Sequence, residues 1–365
     1  MKRYSMFDPP EYVDWTPDPS LLEEYIETIQ RDRQRFNIVS RLKRDQLLAM
    51  YAGLLRFRLH DITLRRWVRQ GILSKAWLGT GEEAVTVGNV HALNPESDKV
   101  GPMIRNAGAC HEMGIPVADM LREYLATADS PSHGKDLHIG GMVHGVIAPV
   151  SQVGALVPVF AGIALAFKMR RQQAIALTWV GDGATKTTAF HEGMNLAAVL
   201  RVPAVFVIQN NQVALGTPLD RHQVGPITAW SKAYGVTGFT CNGNNVLDTY
   251  AATRIAADLA RSGHGPVIVV AETFRMGGHA THDEKEAREI LSPDLFAYWG
   301  KRDPVGMYES YLEHHGIARG ELEKVEEKVI GELAEAERDA LASRDHNMPT
   351  AETLMQDVYA PPELP

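Results

Sequence analysis

Two short polar motifs could together bind a metal ion. Gly-Asp-Gly at 181–183 ends one apolar run, and Asn210-Asn211 ends the next. If the two runs are neighbouring strands of a parallel sheet, Asp182 and Asn211 lie at the same edge. A carboxylate and an amide carbonyl are hard oxygen ligands, which suit Mg²⁺. Because Mg²⁺ takes about six oxygens, phosphate oxygens, a backbone carbonyl and water would have to complete the shell.

Each motif by itself is typical of a tight turn, and only their combination indicates a binding site. Gly181 and Gly183 carry no side chain, so a ligand can approach the backbone closely. The helix predicted to follow would present N–H groups at its start, which favour an anion. The segment is therefore predicted to bind a metal ion together with phosphate.

These motifs belong to an alternation of strands and helices. The apolar runs are short and rich in β-branched residues, as is typical of buried parallel strands. We predict strands at 174–180, 203–209, 236–240 and 266–274, and helices between them at 187–200 and 246–262. The alternation predicts an α/β fold, in which a parallel sheet has helices on both faces.

Helical segments are predicted at both ends of this central part. The predicted units are an N-terminal extension at 1–40, one domain at 41–345 and a C-terminal tail at 346–365. The extension contains an amphipathic helix at 20–36, expected to pack on a neighbour or on the outside of the core. Further helices are expected at 41–72 and 303–343. The last residues, YAPPELP, are expected to cross onto a partner chain.

The composition excludes several classes of protein. The chain has 365 residues, and a net charge of −8 argues against binding to nucleic acid. Its two cysteines, Cys110 and Cys241, form no CxxC pair, so neither a zinc site nor a disulfide framework is predicted. The N-terminus lacks a signal-peptide stretch. We expect the bacterial cytoplasm or, less strongly, the mitochondrial matrix after processing.

One segment is long enough to cross a membrane. Residues 148–167 contain no charged side chain. Pro149, Pro158, Ser151 and Gln152 lie within it, which argues against a transmembrane helix. We predict instead a buried helix, rich in Gly and Ala, at a domain or subunit interface, and no association with a membrane.

Six motifs together resemble one known family. They are GTGEEAVTVG (79–88), IRNAG (104–108), HGKDLHIGG (133–141), VSQVGALVPVFAGIALA (150–166), the run from Gly181 to Asn211, and FRMGGHATHDE (274–284). They are similar to the alpha subunit of the thiamine-diphosphate-dependent first component of 2-oxo acid dehydrogenase complexes, of the branched-chain or pyruvate type. The resemblance covers about residues 45–345.

The resemblance implies a role for individual residues. It implies Mg²⁺ ligands at the side chains of Asp182 and Asn211 and at the backbone carbonyl of Val213. It implies diphosphate contacts from Arg105, Arg275 and the N–H groups of Gly183 and Ala184, and backbone contacts to the aminopyrimidine from Ser151 and Val153. It implies two catalytic histidines, His279 close to the reacting centre and His138 on a flexible loop over the cofactor. Arginine and histidine donors suit the charge of a diphosphate.

The resemblance also implies partners. Generating the reactive carbanion of thiamine diphosphate requires a glutamate that the family carries on a beta subunit. We therefore expect a heterotetramer of two alpha and two beta chains, inactive without the beta chain. The acyl group would pass to a lipoyl group on an acyltransferase core.

Several positions depart from the family pattern. Ile104 stands where a tyrosine is common, and Trp77 where pyruvate enzymes often carry histidine. Ala107 replaces another histidine of pyruvate enzymes, as in branched-chain enzymes. Lys186 follows the Gly-Asp-Gly motif where an acidic or amide residue is usual. Ala280 occupies the place of a regulatory serine, so phosphorylation there is not expected.

Alternative interpretations remain open on the sequence alone. Ala107 and the motif HATHDE favour branched-chain 2-oxo acids, followed closely by pyruvate, and an acetoin dehydrogenase alpha subunit is a further alternative. A transketolase-like transferase is disfavoured because no second domain is evident. A nucleotide-binding or scaffolding module would use Gly-Asp-Gly only as a turn.

Overall fold

A five-stranded parallel sheet forms the centre of the chain. The computed structural model describes residues 1–354 and 356. The strands are β1 (Lys99–Gly101), β2 (Ala176–Gly181), β3 (Ala204–Asn210), β4 (Val213–Ala214), β5 (Thr217–Pro218), β6 (Thr237–Asn242) and β7 (Val267–Glu272). The central sheet has the order β1-β2-β3-β7-β6, with every pair parallel, while β4 and β5 form a small antiparallel hairpin.

Helices surround this sheet and extend beyond it. In chain order they are α1 (Pro10–Val13), α2 (Pro19–Gln30), α3 (Arg33–Val39), α4 (Arg44–Arg69), α5 (Glu83–His91), α6 (Ala107–Glu112), α7 (Val117–Leu125), α8 (Leu156–Met169), α9 (Thr188–Leu200), α10 (Leu219–His222), α11 (Ala229–Ala233), α12 (Val246–Arg261), α13 (Glu284–Ile290), α14 (Pro293–Gly300), α15 (Pro304–His314), α16 (Arg319–His346) and α17 (Ala351–Leu354). Two short 3-10 turns lie at Met142–His144 and Gly183–Lys186.

Alternate strand residues face two separate hydrophobic clusters. On one face, Leu177 and Val205 pack in a cluster with α5 and α12. On the other face, Val180 and Phe206 pack with α8 and α9. A strand turns successive side chains to opposite faces, so a sheet buried on both sides needs apolar residues at every position. The predicted α/β fold with helices on both faces is therefore confirmed.

The four predicted strands are all present as β2, β3, β6 and β7. The helices predicted at 187–200 and 246–262 correspond to α9 and α12. The sequence did not reveal β1, because a strand of three residues leaves too short a pattern to recognise.

The N-terminal segment packs on the chain itself. Tyr12, Tyr25 and Ile29 are buried, and Tyr12 lies against Arg58 of α4, with 4.7 Å between the ring centre and the guanidinium carbon. In the structure Tyr25 and Ile29 belong to a core cluster of the chain, and packing of the extension on a neighbour stays a prediction. The helix predicted at 20–36 is divided into α2 and α3, because the Asp32 side chain accepts two backbone N–H groups and begins a new helix.

The C-terminal part is helical, as predicted, and α16 continues through position 345 to His346. The division into 1–40, 41–345 and 346–365 stays a prediction. The segment YAPPELP lies outside the described residues. In the part of the chain that the structure describes, no helix combines the length and apolar character needed to cross a bilayer. The uncharged stretch 148–167 contains a loop followed by most of α8.

Candidate functional site

The carboxyl ends of β2 and β3 bring the two polar motifs together. Gly181 at the end of β2 is the partner of Gln209 in β3, so Asp182 and Asn211 follow closely on adjacent strands. The N–H group of Asp182 donates to the carbonyl of Gln209 at 3.2 Å. Both side chains, Asp182 and Asn211, are almost fully buried. The predicted adjacency of the two strands is thus confirmed.

Asp182 has one carboxylate oxygen available to a further partner. Its Oδ1 accepts the N–H group of Gly183 at 2.8 Å. Among the described residues no donor hydrogen-bonds to Oδ2, and His222 Nε2 lies 3.9 Å from it. Burial raises the pKa of the Asp182 carboxyl, and the Gly183 N–H group opposes this shift. Since a buried carboxylate oxygen without a partner is costly, a cation at Oδ2 would remove that cost.

The amide of Asn211 has a defined orientation. Its Nδ2 donates to Glu82 Oε1 at 3.1 Å, and its Oδ1 lies 3.4 Å from the backbone nitrogen of Val213. The amide oxygen therefore points away from Glu82 and toward the segment of Val213. A carboxylate oxygen, an amide oxygen and a backbone carbonyl form a donor set that fits Mg²⁺, with room for phosphate oxygens.

A cavity of about 680 Å³ opens at this edge of the sheet. The predicted site residues that line it are Arg105, His138, Ser151, Val153, Asp182, Gly183, Ala184, Val213, Arg275 and His279. Asn211 is buried and does not line the cavity. A second cavity, of about 740 Å³, lies mainly between residues 218–228 and 290–295 and contains none of the predicted residues.

Two arginines bring positive charge to the first cavity. Arg105 Nη2 lies 3.4 Å from the point where a side chain on Gly181 would begin, so a larger residue there would crowd it. Arg275 donates to the carbonyls of Leu215 and Gly277 at 2.8 and 3.1 Å. Burial lowers the pKa of Arg275 to about 10, with Arg105 adding to the shift. Both arginines therefore suit an anionic ligand at neutral pH.

His279 lines the same cavity as the two arginines and is neutral there at pH 7. Burial lowers its pKa to about 4, and the charges of Arg105 and Arg275 act in the same direction. Its backbone N–H group donates to Asp283 Oδ2 at 3.1 Å. A neutral imidazole can accept or donate a hydrogen bond without adding a third positive charge.

His138 is joined to two other groups at the cavity mouth. Its Nδ1 lies 2.7 Å from Asp136 Oδ1, and its Nε2 lies 3.1 Å from Ser151 Oγ. Ser151 and Val153 are both exposed and belong to the loop before α8. That loop is anchored at Gly154, where an added Cβ would lie 2.3 Å from Thr187 Oγ1.

A 3-10 turn separates Gly-Asp-Gly from the predicted helix. Residues Gly183–Lys186 form a 3-10 turn, and α9 begins only after Thr187, whose side chain caps it. The predicted helix N–H groups are therefore those of a 3-10 turn. The N–H group of Gly183 already donates to Asp182, because the carboxylate caps this turn.

The positions that depart from the family pattern are distributed unequally. Trp77 and Ile104 line the cavity, whereas Ala107 and Lys186 do not. Trp77 forms an isolated antiparallel bridge with Ala280. Ala107, the position that favours a branched-chain substrate, is a buried residue at the start of α6.

The structure adds residues that the sequence did not single out. Glu82 is fully buried and accepts hydrogen bonds from Arg105, Gln209 and Asn211. The only signal in the sequence is its place in GTGEEAVTVG, immediately before the buried helix α5. No pattern of spacing could link Glu82 to residues more than 100 positions away.

Comparisons with known proteins show which family the chain belongs to. The family described as dehydrogenase E1 component matches residues 54–349. The chain is 31% identical to the pyruvate dehydrogenase E1 component subunit alpha of Bacillus cereus, over 87% of this chain and 84% of that protein. It is also 31% identical to the 2-oxoisovalerate dehydrogenase subunit alpha of Bacillus subtilis, over 85% of this chain and 94% of that protein.

Proposed function

The chain belongs to the dehydrogenase E1 component family, and from this premise we propose that it is the alpha subunit of a 2-oxo acid dehydrogenase. The resemblance inferred from six motifs is confirmed by the family match over 54–349. The reaction is the oxidative decarboxylation of a 2-oxo acid with transfer of the acyl group to a lipoyl group. The observation that carries the proposal is the buried Oδ2 atom of Asp182 beside Asn211, which has no hydrogen-bond partner among the residues that the structure describes.

Thiamine diphosphate is the cofactor that the family implies, and Mg²⁺ is part of the proposal. When bound, the cofactor supplies the carbanion and the electron sink for loss of carbon dioxide. Asp182 Oδ2, Asn211 Oδ1 and the Val213 carbonyl would hold Mg²⁺. Support comes from the hard oxygen donors and from the burial of both side chains.

The remaining cavity residues would bind and orient the cofactor and substrate. Arg105, Arg275 and the backbone of Gly183 and Ala184 would face the diphosphate, and the backbone of Ser151 and Val153 would face the aminopyrimidine. His279, as a neutral imidazole, would hydrogen-bond near the reacting centre without adding a third positive charge. His138 would close the cavity mouth, because its loop is tied to Ser151. A closed mouth would exclude water from the reaction.

The site requires a second chain. We propose a beta subunit, in a heterotetramer of two alpha and two beta chains, which supplies the glutamate for the aminopyrimidine. An acyltransferase core that carries lipoyl groups would accept the acyl product. Helix α8 is the proposed interface helix, since Gly162 and Val159 are exposed on it.

We propose a branched-chain 2-oxo acid as substrate. The support is the apolar lining near the cavity mouth, which includes Trp77, Met103, Ile104 and Leu137. The two relatives named above act on pyruvate or on 2-oxoisovalerate by their names and have the same identity to this chain. Rates of the complex on pyruvate, 3-methyl-2-oxobutanoate and acetoin would decide, and equal rates on all three would contradict this choice. We also propose a bacterial cytoplasmic location, supported by two free buried cysteines.

The central experiment uses the chain co-expressed with its beta subunit. The complex is expected to bind thiamine diphosphate only in the presence of Mg²⁺, as measured by calorimetry. Asp182→Ala is expected to abolish this binding at concentrations that saturate the parent. Asp220→Ala, an exposed acidic position outside the site cavity, is the control. Unchanged binding by Asp182→Ala would refute the metal assignment, and 2-oxo acid turnover by the alpha chain alone would refute the need for a partner.

A further inference from the structure

Glu82 is the common acceptor of a buried hydrogen-bond network beside the proposed site. Its Oε2 accepts Arg105 Nε at 2.8 Å. Its Oε1 accepts Gln209 Nε2 at 3.0 Å and Asn211 Nδ2 at 3.1 Å. Arg105 Nη2 lies a further 3.4 Å from Oε1. The Glu82 side chain thus contacts one residue proposed to bind the diphosphate and one proposed to bind Mg²⁺.

The contact with Asn211 decides which amide atom is available to a cation. A side-chain amide has a donor end and an acceptor end that are nearly equal in shape. Because Glu82 Oε1 can only accept, the NH₂ end of Asn211 must face it. The oxygen end is then directed to the opposite side, where Asn211 Oδ1 approaches the nitrogen of Val213. Without Glu82, rotation of the amide would exchange a metal-binding oxygen for an NH₂ group.

The contact between Glu82 and Arg105 orients the guanidinium group of Arg105. Arg105 donates from Nε and Nη2 to the Glu82 carboxylate, so this edge of the guanidinium group is fixed. Its position next to Gly181 is kept by the same contact. A guanidinium group held along one edge keeps its remaining N–H groups for an anion.

The backbone that carries Glu82 is itself fixed. Gly79 N and Thr80 Oγ1 donate to Asp61 Oδ2 at 2.8 and 2.9 Å. The N–H group of Met276 donates to the carbonyl of Thr80 at 3.0 Å. The loop before α5 is therefore joined to the segment that contains Arg275. Glu82 has little freedom to move away from its partners.

We propose that Glu82 is a positioning residue that couples Mg²⁺ binding to diphosphate binding, by orienting Asn211 and Arg105 together. This inference rests on the proposed function. Glu82 contacts neither ligand itself and acts through the two residues that do. Outer residues of this kind commonly contribute about 10- to 100-fold to metal affinity.

The test measures the Mg²⁺ concentration that gives half-maximal binding of thiamine diphosphate to the alpha–beta complex. Glu82→Ala is expected to raise this concentration by about 10-fold or more. Glu82→Gln retains one acceptor oxygen but presents an NH₂ group to other donors, so its shift should be smaller and still measurable. Asp248→Asn is the matched control, because Asp248 is also a fully buried carboxylate that pairs with an arginine, Arg35, outside the cavity.

A second measurement separates positioning from simple structural support. In an Asn211→Ala background, Glu82→Gln should change the half-saturating Mg²⁺ concentration by less than it does in the parent, because only its contact with Arg105 remains to be lost. Equal effects in both backgrounds would overturn the coupling. A half-saturating Mg²⁺ concentration for Glu82→Gln within about twofold of the parent's value would overturn the proposed coupling as well. Absence of Mg²⁺-dependent binding by the parent would instead refute the proposed function and, with it, this inference.

Discussion

His138 and Ser151 are in direct contact, with 3.1 Å between Nε2 of the histidine and Oγ of the serine. This contact joins the loop that contains His138 to the loop that precedes α8, across the mouth of the cavity. Asp136 holds the other ring nitrogen of His138 at 2.7 Å. The loop proposed to close over the cofactor is therefore linked to the loop before α8 by one side-chain contact.

Removing this contact should loosen the cavity mouth. Ser151→Ala is expected to increase amide exchange in residues 136–141 and to reduce turnover by about two- to tenfold, the value of one hydrogen bond. Hydrogen–deuterium exchange and steady-state rates on the complex would measure both effects. Ser262→Ala removes a similar serine–histidine contact, to His264 at 2.9 Å and outside the site, and should change neither. Unchanged exchange in 136–141 would contradict the link.

Arg58 should be essential for stability. It is fully buried and contacts Asp8, Glu83 and Asp303, so it joins the N-terminal segment to α5 and α15. Arg58→Met would leave the buried carboxylates of Asp8 and Glu83 without their cation, and the free energy of unfolding should fall by about 3–5 kcal/mol. Denaturant unfolding would measure it.

An exposed arginine pair provides the control for Arg58. Arg254 and Asp258 form a contact of 3.1 Å along α12, with both side chains largely in solvent. Arg254→Met should lower the free energy of unfolding by no more than about 0.5 kcal/mol. A similar loss in the two variants would mean that the buried network contributes no special stability.

Two buried histidines should make the protein sensitive to acid. The rings of His60 and His111 lie 4.9 Å apart, and among the described residues their nitrogens have no hydrogen-bond partner. Burial lowers the pKa of His60 to about 4. Burial also lowers the pKa of His111, and the nearby His60 and Arg56 lower it further.

The sign of this effect follows from proton binding. Between pH 6.5 and pH 4 an unfolded histidine is protonated and His60 in the folded chain is not, so acid favours unfolding. The free energy of unfolding of His60→Leu, taken relative to that of the parent, should therefore be about 2 kcal/mol higher at pH 5 than at pH 7. The difference between the two proteins is the informative quantity, because burial of Asp61 raises its pKa to about 8 and acts in the opposite direction. A difference independent of pH would contradict the prediction.

A larger side chain on α8 should prevent assembly. Apart from the adjoining residues and backbone of its own helix, no atom of the described residues lies within 4 Å of a Cβ added at Gly162, so Gly162→Leu should fold normally. If this face packs against another chain, the leucine should weaken association with the beta subunit. Sedimentation of the co-expressed complex would show it. Gly331→Leu is the control, since Gly331 of α16 also has open space. Normal assembly of Gly162→Leu would exclude this face from the interface.

Much of the fold could be predicted because its signals are local. The runs that form β2 and β3 are mostly apolar, and each ends at a polar motif. That pattern was sufficient to predict buried parallel strands whose ends place Asp182 and Asn211 at the same edge of the sheet. By contrast, the break between α2 and α3 depended on one capping residue, Asp32, within a continuous amphipathic pattern.

The sequence by itself determined the fold class, the family and the residues at the strand ends, because periodicity and motif spacing depend on near neighbours. Only the tertiary structure decided the contacts of Glu82, the orientation of the Asn211 amide and the exclusion of Ala107 from the cavity. These features depend on loops that approach from distant parts of the chain. Hydrogen-bond direction among buried groups is set by every partner at once, so it emerges only when all of them are in place.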